Sequence, residues 1–258
     1  MIEAPLSEWD GEPVTLLRSR WDVPVLEAYG QIGSTNGRAA ELAASGCGPY
    51  AVVVAEEQSA GRGRRGATWS SPRGCGLWMS VVLPASVSSG LPYLPLLVGL
   101  ATAAAIEEAT SGVEVKIKWP NDLWVGGRKV AGVLCESSGA AVVAGIGINV
   151  TPPDGGFPDD LDIIATSLQI VGANSLTRSV LASRVITELK QHVEGLSSVL
   201  PSEALADLGR RDALVGCAID TDQSGEGIAR GIAEDGALVL ERPDGSRVLV
   251  VAGSVRLR

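Results

Sequence analysis

Short apolar runs bounded by turn residues recur along the first part of the chain. Ala51–Ala55 is continuously apolar and predicts a buried strand, and Val25–Tyr29 and Leu77–Leu83 predict two further strands. Between the first two runs, Gly33-Ser34-Thr35-Asn36 offers capping residues for a short helix. The longer Ala- and Leu-rich stretch Leu94–Ala109 predicts a buried helix.

After this helix the apolar positions change to a period of two. Val113–Trp119 alternates apolar and basic residues, which is typical of a half-buried strand. Leu123–Val125 and Lys129–Cys135 flank a Gly-Gly turn and predict a hairpin-like unit. Ala141–Val150 predicts a further strand, and Thr177–Val199 has the pattern of a long amphipathic helix.

The texture changes again beyond about Arg210. Short apolar runs alternate there with turn sequences such as Pro243-Asp244-Gly245. This spacing predicts a small all-β barrel of roughly fifty residues. The four runs are Ala213–Ile219, Gly227–Ile232, Ala237–Leu240 and Arg247–Val251.

Composition and charge narrow the class of protein. With 258 residues, 45% hydrophobic and 20% charged, the chain has a globular composition and room for one large and one small domain. A formal net charge of -9 disfavours binding to nucleic acid and to anionic membranes. The N-terminus lacks a signal-peptide pattern, and the longest apolar stretch, Leu91–Ile106, is too short to span a bilayer. We therefore expect a soluble, cytoplasmic protein.

Cysteine and histidine usage excludes further kinds of site. Cys47, Cys75, Cys135 and Cys217 show no Cys-x-x-Cys spacing, so reduced thiols are expected. His192 is the sole histidine, which excludes a zinc site of two or three histidines. Its charged, helical surroundings favour a surface helix position over a role in a catalytic triad.

The most specific local pattern is the loop Gly61-Arg62-Gly63-Arg64-Arg65-Gly66, which follows a predicted buried strand. Glycines allow backbone amides to approach an anion, and three arginines concentrate positive charge on an acidic protein. The loop therefore suits a phosphate or carboxylate ligand. It does not match a P-loop, because no Gly-Lys-Ser/Thr follows. On composition alone, a flexible surface loop that contacts RNA remains open.

A second pattern is Lys116-Ile117-Lys118-Trp119-Pro120-Asn121-Asp122, followed by Lys129. Lys116 and Lys118 share one face of the predicted strand, and Pro120 fixes the turn after it. Ammonium and carboxylate groups at a rigid strand end can neutralise phosphate and position a divalent cation. A solvated basic strand face closed by an ordinary turn is the alternative.

Three weaker features are ambiguous when each is taken alone. The alternating glycines of Gly145–Val150 permit close approach of a flat ligand, but a tightly packed central strand has the same pattern. Ser34-Thr35-Asn36 offers hydrogen-bonding groups or merely a helix cap. Trp69 offers a stacking surface or merely a packed indole.

The ordered set of these segments is far more specific than any member. Its members are Gly33–Asn36, Glu56–Arg64, Lys118–Asp122, Lys129–Leu134 and Gly145–Val150. In this order and with these gaps they resemble the biotin protein ligases over about residues 26–150. Ala165-Thr166-Ser167-Leu168 and the C-terminal β segment extend the likeness to nearly the whole chain.

The resemblance implies a two-step reaction that uses ATP, biotin and Mg²⁺. The biotin carboxylate attacks the α-phosphorus of ATP, which gives biotinyl-5′-AMP and pyrophosphate. A lysine of a biotin carboxyl carrier protein then attacks this mixed anhydride and becomes biotinylated.

The resemblance also implies roles for individual residues. Arg64, Lys129 and Asp122 are expected to be catalytic, and Asn121 to contact Mg²⁺ or phosphate. The Arg62–Arg64 loop is expected to be mobile until ligand binds. Biotin-binding residues are expected to be Ser34, Thr35, Asn36, Gln58, Gly61, Arg62, Gly63, Arg64, Lys129 and Gly132. ATP- or adenylate-binding residues are expected to be Arg62, Arg64, Trp69, Lys118, Asn121, Lys129 and Asn149.

The implied fold is an α/β (α+β) catalytic domain with a mixed sheet, followed by a small SH3-like β-barrel. We expect an N-terminal extension at 1–24, the biotin- and ATP-binding domain at 25–209 and the SH3-like domain at 210–258. The first segment is too short for the winged-helix DNA-binding domain of the bifunctional ligases, so we expect a monofunctional enzyme, either monomer or homodimer. Lipoate–protein ligase, a non-catalytic biotin or nucleotide sensor and an RNA-binding protein are the alternatives.

Overall fold

The computed structural model describes residues 4–87, 92–110, 112–139, 141–157, 165–174, 176–193, 196 and 199–258. Its largest element is a seven-stranded mixed sheet in which the outermost pair, β3 and β4, is parallel and the other pairs are antiparallel. Across the sheet the strands are β3 (Leu26–Tyr29), β4 (Val52–Ala55), β5 (Gly76–Leu83), β9 (Ala141–Asn149), β8 (Arg128–Ser138), β7 (Asp122–Val125) and β6 (Lys116–Lys118).

Helices cover both faces of this sheet. Helix α2 (Thr35–Ala44) packs on one face, where Ala39 and Leu42 join a small apolar cluster. Helices α3 (Leu94–Ala109) and α4 (Arg178–His192) pack on the other face over the main core. This burial on both faces explains why the central strands read as continuous apolar runs rather than as alternating ones.

Residues before the first strand of the sheet form part of the same core. The short strands β1 (Glu8–Trp9) and β2 (Glu12–Pro13) pair across an Asp-Gly turn, and helix α1 (Val14–Arg20) follows. Trp9, Leu17 and Trp21 are buried in the main core cluster. Arg178 of α4 bonds to both Asp10 and Glu56, so it links the hairpin to the end of β4.

The C-terminal domain is a five-stranded antiparallel sheet preceded by helix α5 (Ser202–Arg211). Its strand order is β13 (Arg247–Val250), β12 (Leu238–Glu241), β11 (Gly225–Ile232), β10 (Ala218–Thr221) and β14 (Val255–Leu257). A continuous apolar cluster joins this sheet to α3 and β6. In addition, Trp119 Nε1 donates to Gly236 O at 2.9 Å. The two domains therefore share buried surface.

The sequence expectations hold for most elements and differ at several ends. Helix α3 has the predicted bounds. The predicted strand Val113–Trp119 is a strand only over Lys116–Lys118, because the Val115 amide donates to the Glu107 side chain instead of to a neighbouring strand. The predicted helix Thr177–Val199 ends at His192, and residues 194, 195, 197 and 198 lie outside the described ranges. Among the described segments, β1, β2, α1, α5 and β14 were not predicted.

The predictions for the four cysteines and for His192 can also be compared with the structure. The four cysteines are free thiols, as predicted. His192 is the last residue of α4, and its Nδ1 lies 2.9 Å from Glu188 O. Among the helices that the structure describes, none combines the length and apolar character that crossing a membrane requires.

Candidate active site

A cavity of about 250 Å³ opens between the arginine loop, strands β8 and β9 and the C-terminal domain. Apolar side chains form part of its wall, among them Met79, Val133 and Ile146. Most of the predicted site residues also line it, namely Ser34, Thr35, Asn36, Gln58, Arg62, Gly63, Arg64, Trp69, Asn121, Asp122, Lys129 and Gly132. The fold thus brings together segments that are far apart in sequence.

One end of the cavity carries a network of neutral hydrogen-bonding groups at the start of α2. Gln58 Oε1 accepts from the backbone amide of Thr35 at 2.9 Å and from its hydroxyl at 3.0 Å. Ser80 is fully buried, and its Oγ donates to Asn36 Oδ1 at 2.6 Å. Because these side chains hold one another in place, this end presents fixed donors and acceptors to a polar, uncharged ligand group.

The arginine loop forms the charged end of the cavity. A short 3₁₀ turn, Arg64–Gly66, folds the loop, and Arg62 forms a part-exposed ion pair with Glu136 at 2.9 Å. Arg64 Nη1 donates to Asn121 Oδ1 and to Gly253 O, each at 3.2 Å. Burial lowers the pKa of the Arg64 guanidinium, although Asp122 nearby opposes the shift. A cation held partly out of water attracts an anionic ligand strongly.

Lys129 and Asp122 form an ion pair beside this loop. Their Nζ and Oδ1 atoms are 2.6 Å apart, and the ammonium group lies 5.0 Å from the centre of the Trp69 ring. Lys118 is the cross-strand neighbour of Asp122, and its ammonium group sits 5.1 Å from the Trp124 ring centre. Burial, together with the nearby Lys129 charge, lowers the pKa of Lys118. Lys118 thus lies behind Asp122, on the neighbouring strand, and is not among the residues that line the first cavity.

Glycines in β8 and β9 make room for two of the site side chains. A Cβ atom at Gly147 would lie 2.6 Å from the Trp69 indole, and one at Gly145 would lie 2.2 Å from Asn36 Oδ1. At Gly132 the corresponding atom would lie 3.0 Å from the Trp69 ring. The alternating glycines therefore accommodate packed side chains, and these side chains in turn shape the cavity.

A second cavity, of about 160 Å³, adjoins the first. Trp69 and Lys129 line both cavities, and Asn149 lines the second, where its Nδ2 donates to Thr166 O at 3.0 Å. Trp78, which lies edge-on to Trp69, forms another part of the wall. Two ligands placed in these cavities would meet beside the Lys129 ammonium group.

Several residues of the site were not singled out by the sequence. Glu136 and Ser80 have no local signal, because their roles depend on which strands become neighbours. Gly253 and Ser254 reach the cavity from the C-terminal domain. Gly61 was predicted to contact ligand but packs against Trp69 O and Ser71 Oγ, where a Cβ atom would be 2.3 and 2.8 Å away.

Comparison with known proteins places this architecture in a family. Residues 31–152 match the model of the Biotin/lipoate A/B protein ligase family, and residues 217–258 match the Biotin protein ligase C terminal domain. The biotin–[acetyl-CoA-carboxylase] ligase of Mycobacterium tuberculosis is 35% identical over 240 residues, which cover 89% of this chain and 88% of that protein. The chain belongs to the biotin protein ligase family. The resemblance that the sequence motifs carried is thereby confirmed.

A solved structure of another biotin protein ligase has the same fold as this chain. The biotin protein ligase from Aquifex aeolicus in complex with biotin and ATP superposes with a TM-score of 0.80 at 27% identity, covering 91% of this chain and 98% of that one. The bifunctional ligase/repressor BirA of Bacillus subtilis is 38% identical over 161 residues. That match spans about half of the relative's length, 49%, and 60% of this chain.

Proposed function

We propose that this chain activates biotin with ATP as biotinyl-5′-AMP and transfers the biotin to a specific lysine of a biotin carboxyl carrier protein. The observation that carries the proposal is the pair of adjoining cavities that share Trp69 and Lys129. One cavity has a neutral polar end and a cationic end, as an acid with a polar head requires. The other offers an aromatic wall for a nucleotide base.

The first cavity suits biotin in a defined direction. Ser34, Thr35, Asn36 and Gln58 would bond the polar ureido group, while Met79, Val133 and Ile146 contact the apolar remainder. The carboxylate then points to Arg62, Arg64 and Lys129. Arg62 must leave Glu136 to reach it, and because that ion pair is part-exposed the exchange costs little.

The second cavity suits the adenosine part of ATP, with Trp69 beside the base and Asn149 within hydrogen-bonding reach. Mg²⁺ would enter with ATP as part of the substrate, since this ion is usually held by phosphates and one or two carboxylates. Asn121 and Asp122 supply oxygen atoms on this side of the cavity, although Arg64 bonds to Asn121 Oδ1 in the structure. Lys118, behind Asp122, adds positive potential near the phosphates.

In the first step a carboxylate oxygen of biotin forms a bond to the α-phosphorus, and the bond to pyrophosphate breaks. Arg64 and Lys129 stabilise the negative charge that develops on the phosphate oxygens. In the second step the neutral amine of the acceptor lysine attacks the anhydride carbonyl and AMP leaves. Asp122, whose carboxylate pairs with Lys129 in the structure, would orient that amine and accept its proton. The loop excludes water, which would otherwise hydrolyse the anhydride.

The test is pyrophosphate release with ATP and Mg²⁺, compared between biotin and lipoate, followed by transfer of label to a purified biotin carrier domain. The proposal requires biotin-dependent release and labelling of one carrier lysine. A carrier domain with that lysine replaced by arginine is the matched control. Release with lipoate alone would indicate a lipoate–protein ligase. Biotin binding without release would indicate a sensor.

A further inference from the structure

The third arginine of the loop is bound by the C-terminal domain. Arg65 Nη1 forms an ion pair with Asp222 Oδ2, in the turn between β10 and β11. The other oxygen of that carboxylate, Oδ1, accepts from the Ser254 amide at 3.0 Å, in the turn between β13 and β14. One side chain thus joins the arginine loop to two turns of the second domain.

The turn between β13 and β14 contacts the loop at a second point. Arg64 donates to Gly253 O at 3.2 Å, and Gly253 and Ser254 line the first cavity. Gly253 has a φ of +126°, and a Cβ atom there would lie 2.3 Å from Asp222 Oδ1. Only glycine allows Asp222 to reach both the Ser254 amide and Arg65.

The backbone of the loop is also in an unfavourable conformation at Arg65. Arg65 has φ 56° and ψ 32°, the left-handed region that residues with a Cβ atom disfavour. Such a conformation persists only where surrounding contacts hold it. Asp222 supplies a contact of this kind from outside the loop.

We propose that Asp222 is a positioning residue, which holds Arg65 and thereby keeps the arginine loop closed over bound biotinyl-adenylate. This inference rests on the proposed function. Substrates would take over Arg62 and Arg64 from Glu136, Asn121 and Gly253, whereas the Arg65–Asp222 ion pair can persist throughout the reaction. The C-terminal domain in this way slows the escape of the intermediate.

The first test measures how fast biotinyl-adenylate is lost from the protein. The enzyme is loaded with labelled biotin, ATP and Mg²⁺, separated from free ligand, and followed over time. Asp222→Asn keeps the Oδ1 acceptor for Ser254 but removes the charge that Arg65 needs. We expect it to accelerate adenylate loss up to about fivefold, the range that a part-exposed ion pair supports. Arg65→Gln should do the same, and the double variant should lose adenylate no faster than either single one.

The matched control is Glu226→Gln, which breaks the Arg258–Glu226 ion pair of the same domain. It should leave the rate of loss unchanged. High salt should bring the wild-type rate towards that of Asp222→Asn, because it screens exposed ion pairs. Asp222→Asn that retains adenylate as long as the wild type, or additive effects of the two single changes, would overturn the proposal.

A second readout needs no ligand and so separates this inference from the proposed function. Trypsin cleaves after arginine, and Arg62, Arg64 and Arg65 place its sites in the loop. Asp222→Asn should be cut there faster than the wild type and Glu226→Gln, with the same thermal midpoint for all three. Equal cleavage rates would refute the anchoring role. A wild-type protein that forms no adenylate would refute the proposed function, and cleavage would still decide the role of Asp222.

Discussion

Lys129 is the residue at which the two cavities meet. Its ammonium group is 2.6 Å from the Asp122 carboxylate and 5.0 Å from the Trp69 ring centre. Asp122 keeps the cation on the cavity wall, and the indole restricts its other side. Under the proposed function, this position lets one charge act on both ligands at the point where negative charge would develop during adenylation.

Replacement of Lys129 by alanine should therefore lower the rate of biotin-dependent pyrophosphate release by about 100-fold, as for the loss of one preorganised charge donor. Lys116→Ala is the matched control, because Lys116 bonds to Glu114 and Arg210 O away from the cavity. The control should remain within about twofold of the wild type. A Lys129→Ala enzyme with the wild-type rate would show that the assigned role is wrong.

Asp212 carries a pH-dependent contribution to stability. Burial raises the pKa of its carboxyl group, and its Oδ2 atom has no hydrogen-bond partner within the described structure. Because the folded pKa lies above the unfolded one, the folded state binds the proton more tightly. Stability from this group is therefore full below the unfolded pKa and is lost as pH rises through the folded pKa.

Asp212→Asn keeps the Oδ1 acceptor for the Leu214 amide and removes the ionisation. The variant should be more stable than the wild type at pH 7, and the difference should shrink towards pH 4. Urea unfolding at both pH values measures it. A difference that does not depend on pH would contradict the assignment.

Among the elements, the ease of prediction follows length and burial. Helix α3 is predictable to the residue because sixteen almost entirely apolar positions follow one another and Pro95 suits a first turn. Helix α1 has only seven residues, too few to show a helical period. Helix α5 was also missed, although its sequence does carry a signal. Pro201 and Glu203 suit a helix start, and Arg210 and Arg211 suit its end.

The residues of the site also differ in how far the sequence alone reveals them. Residues within local motifs, such as Ser34, Gln58 and Lys129, are found from sequence because each motif keeps its own spacing. Glu136 and Asp222 are not, because each becomes a partner of the arginine loop only after strands 70 or more residues away have folded beside it. Long-range pairing of this kind has no periodic trace in the chain.

Strand β9 offers a test of how an element shapes the cavity. Gly147→Ala places a methyl group where the Trp69 indole lies, 2.6 Å away, so the indole must move. We expect a higher KM for ATP. We also expect the free energy of unfolding to fall by about 1–3 kcal/mol, because the added methyl group overpacks the site. Gly99→Ala in α3 is the control, since its Cβ meets side-chain atoms only at 3.7 Å and beyond. An unchanged KM for ATP in Gly147→Ala would separate Trp69 from nucleotide binding.

At the scale of the whole molecule, the two domains share one buried apolar cluster. The second core cluster runs from Leu97 and Leu100 of α3 through Trp119 to Leu238 and Leu240 of the C-terminal sheet. Neither domain can be removed without exposing this surface. The C-terminal turn that reaches the first cavity therefore belongs to a domain that packs directly against the elements of the seven-stranded sheet.

This shared core predicts a single calorimetric unfolding transition. Leu97→Ala should lower the free energy of unfolding by about 2–5 kcal/mol, and the whole transition should move without splitting. Leu16→Ala, at a position 54% exposed on α1, should change stability by less than about 0.5 kcal/mol. Two separate transitions, with Leu97→Ala moving only one, would contradict cooperative unfolding of the domains.

Trp69 has one further consequence, for how the protein can be observed. Its indole faces both cavities and lies beside the Lys129 cation, so either ligand changes the electric field at the ring. The chain therefore contains an intrinsic fluorophore where the two cavities proposed for the acid and the nucleotide adjoin. The emission of unlabelled protein can then follow filling of the site, turnover and release in real time. The difference from Trp69→Phe, which retains the other five of the six tryptophans, isolates the signal of Trp69.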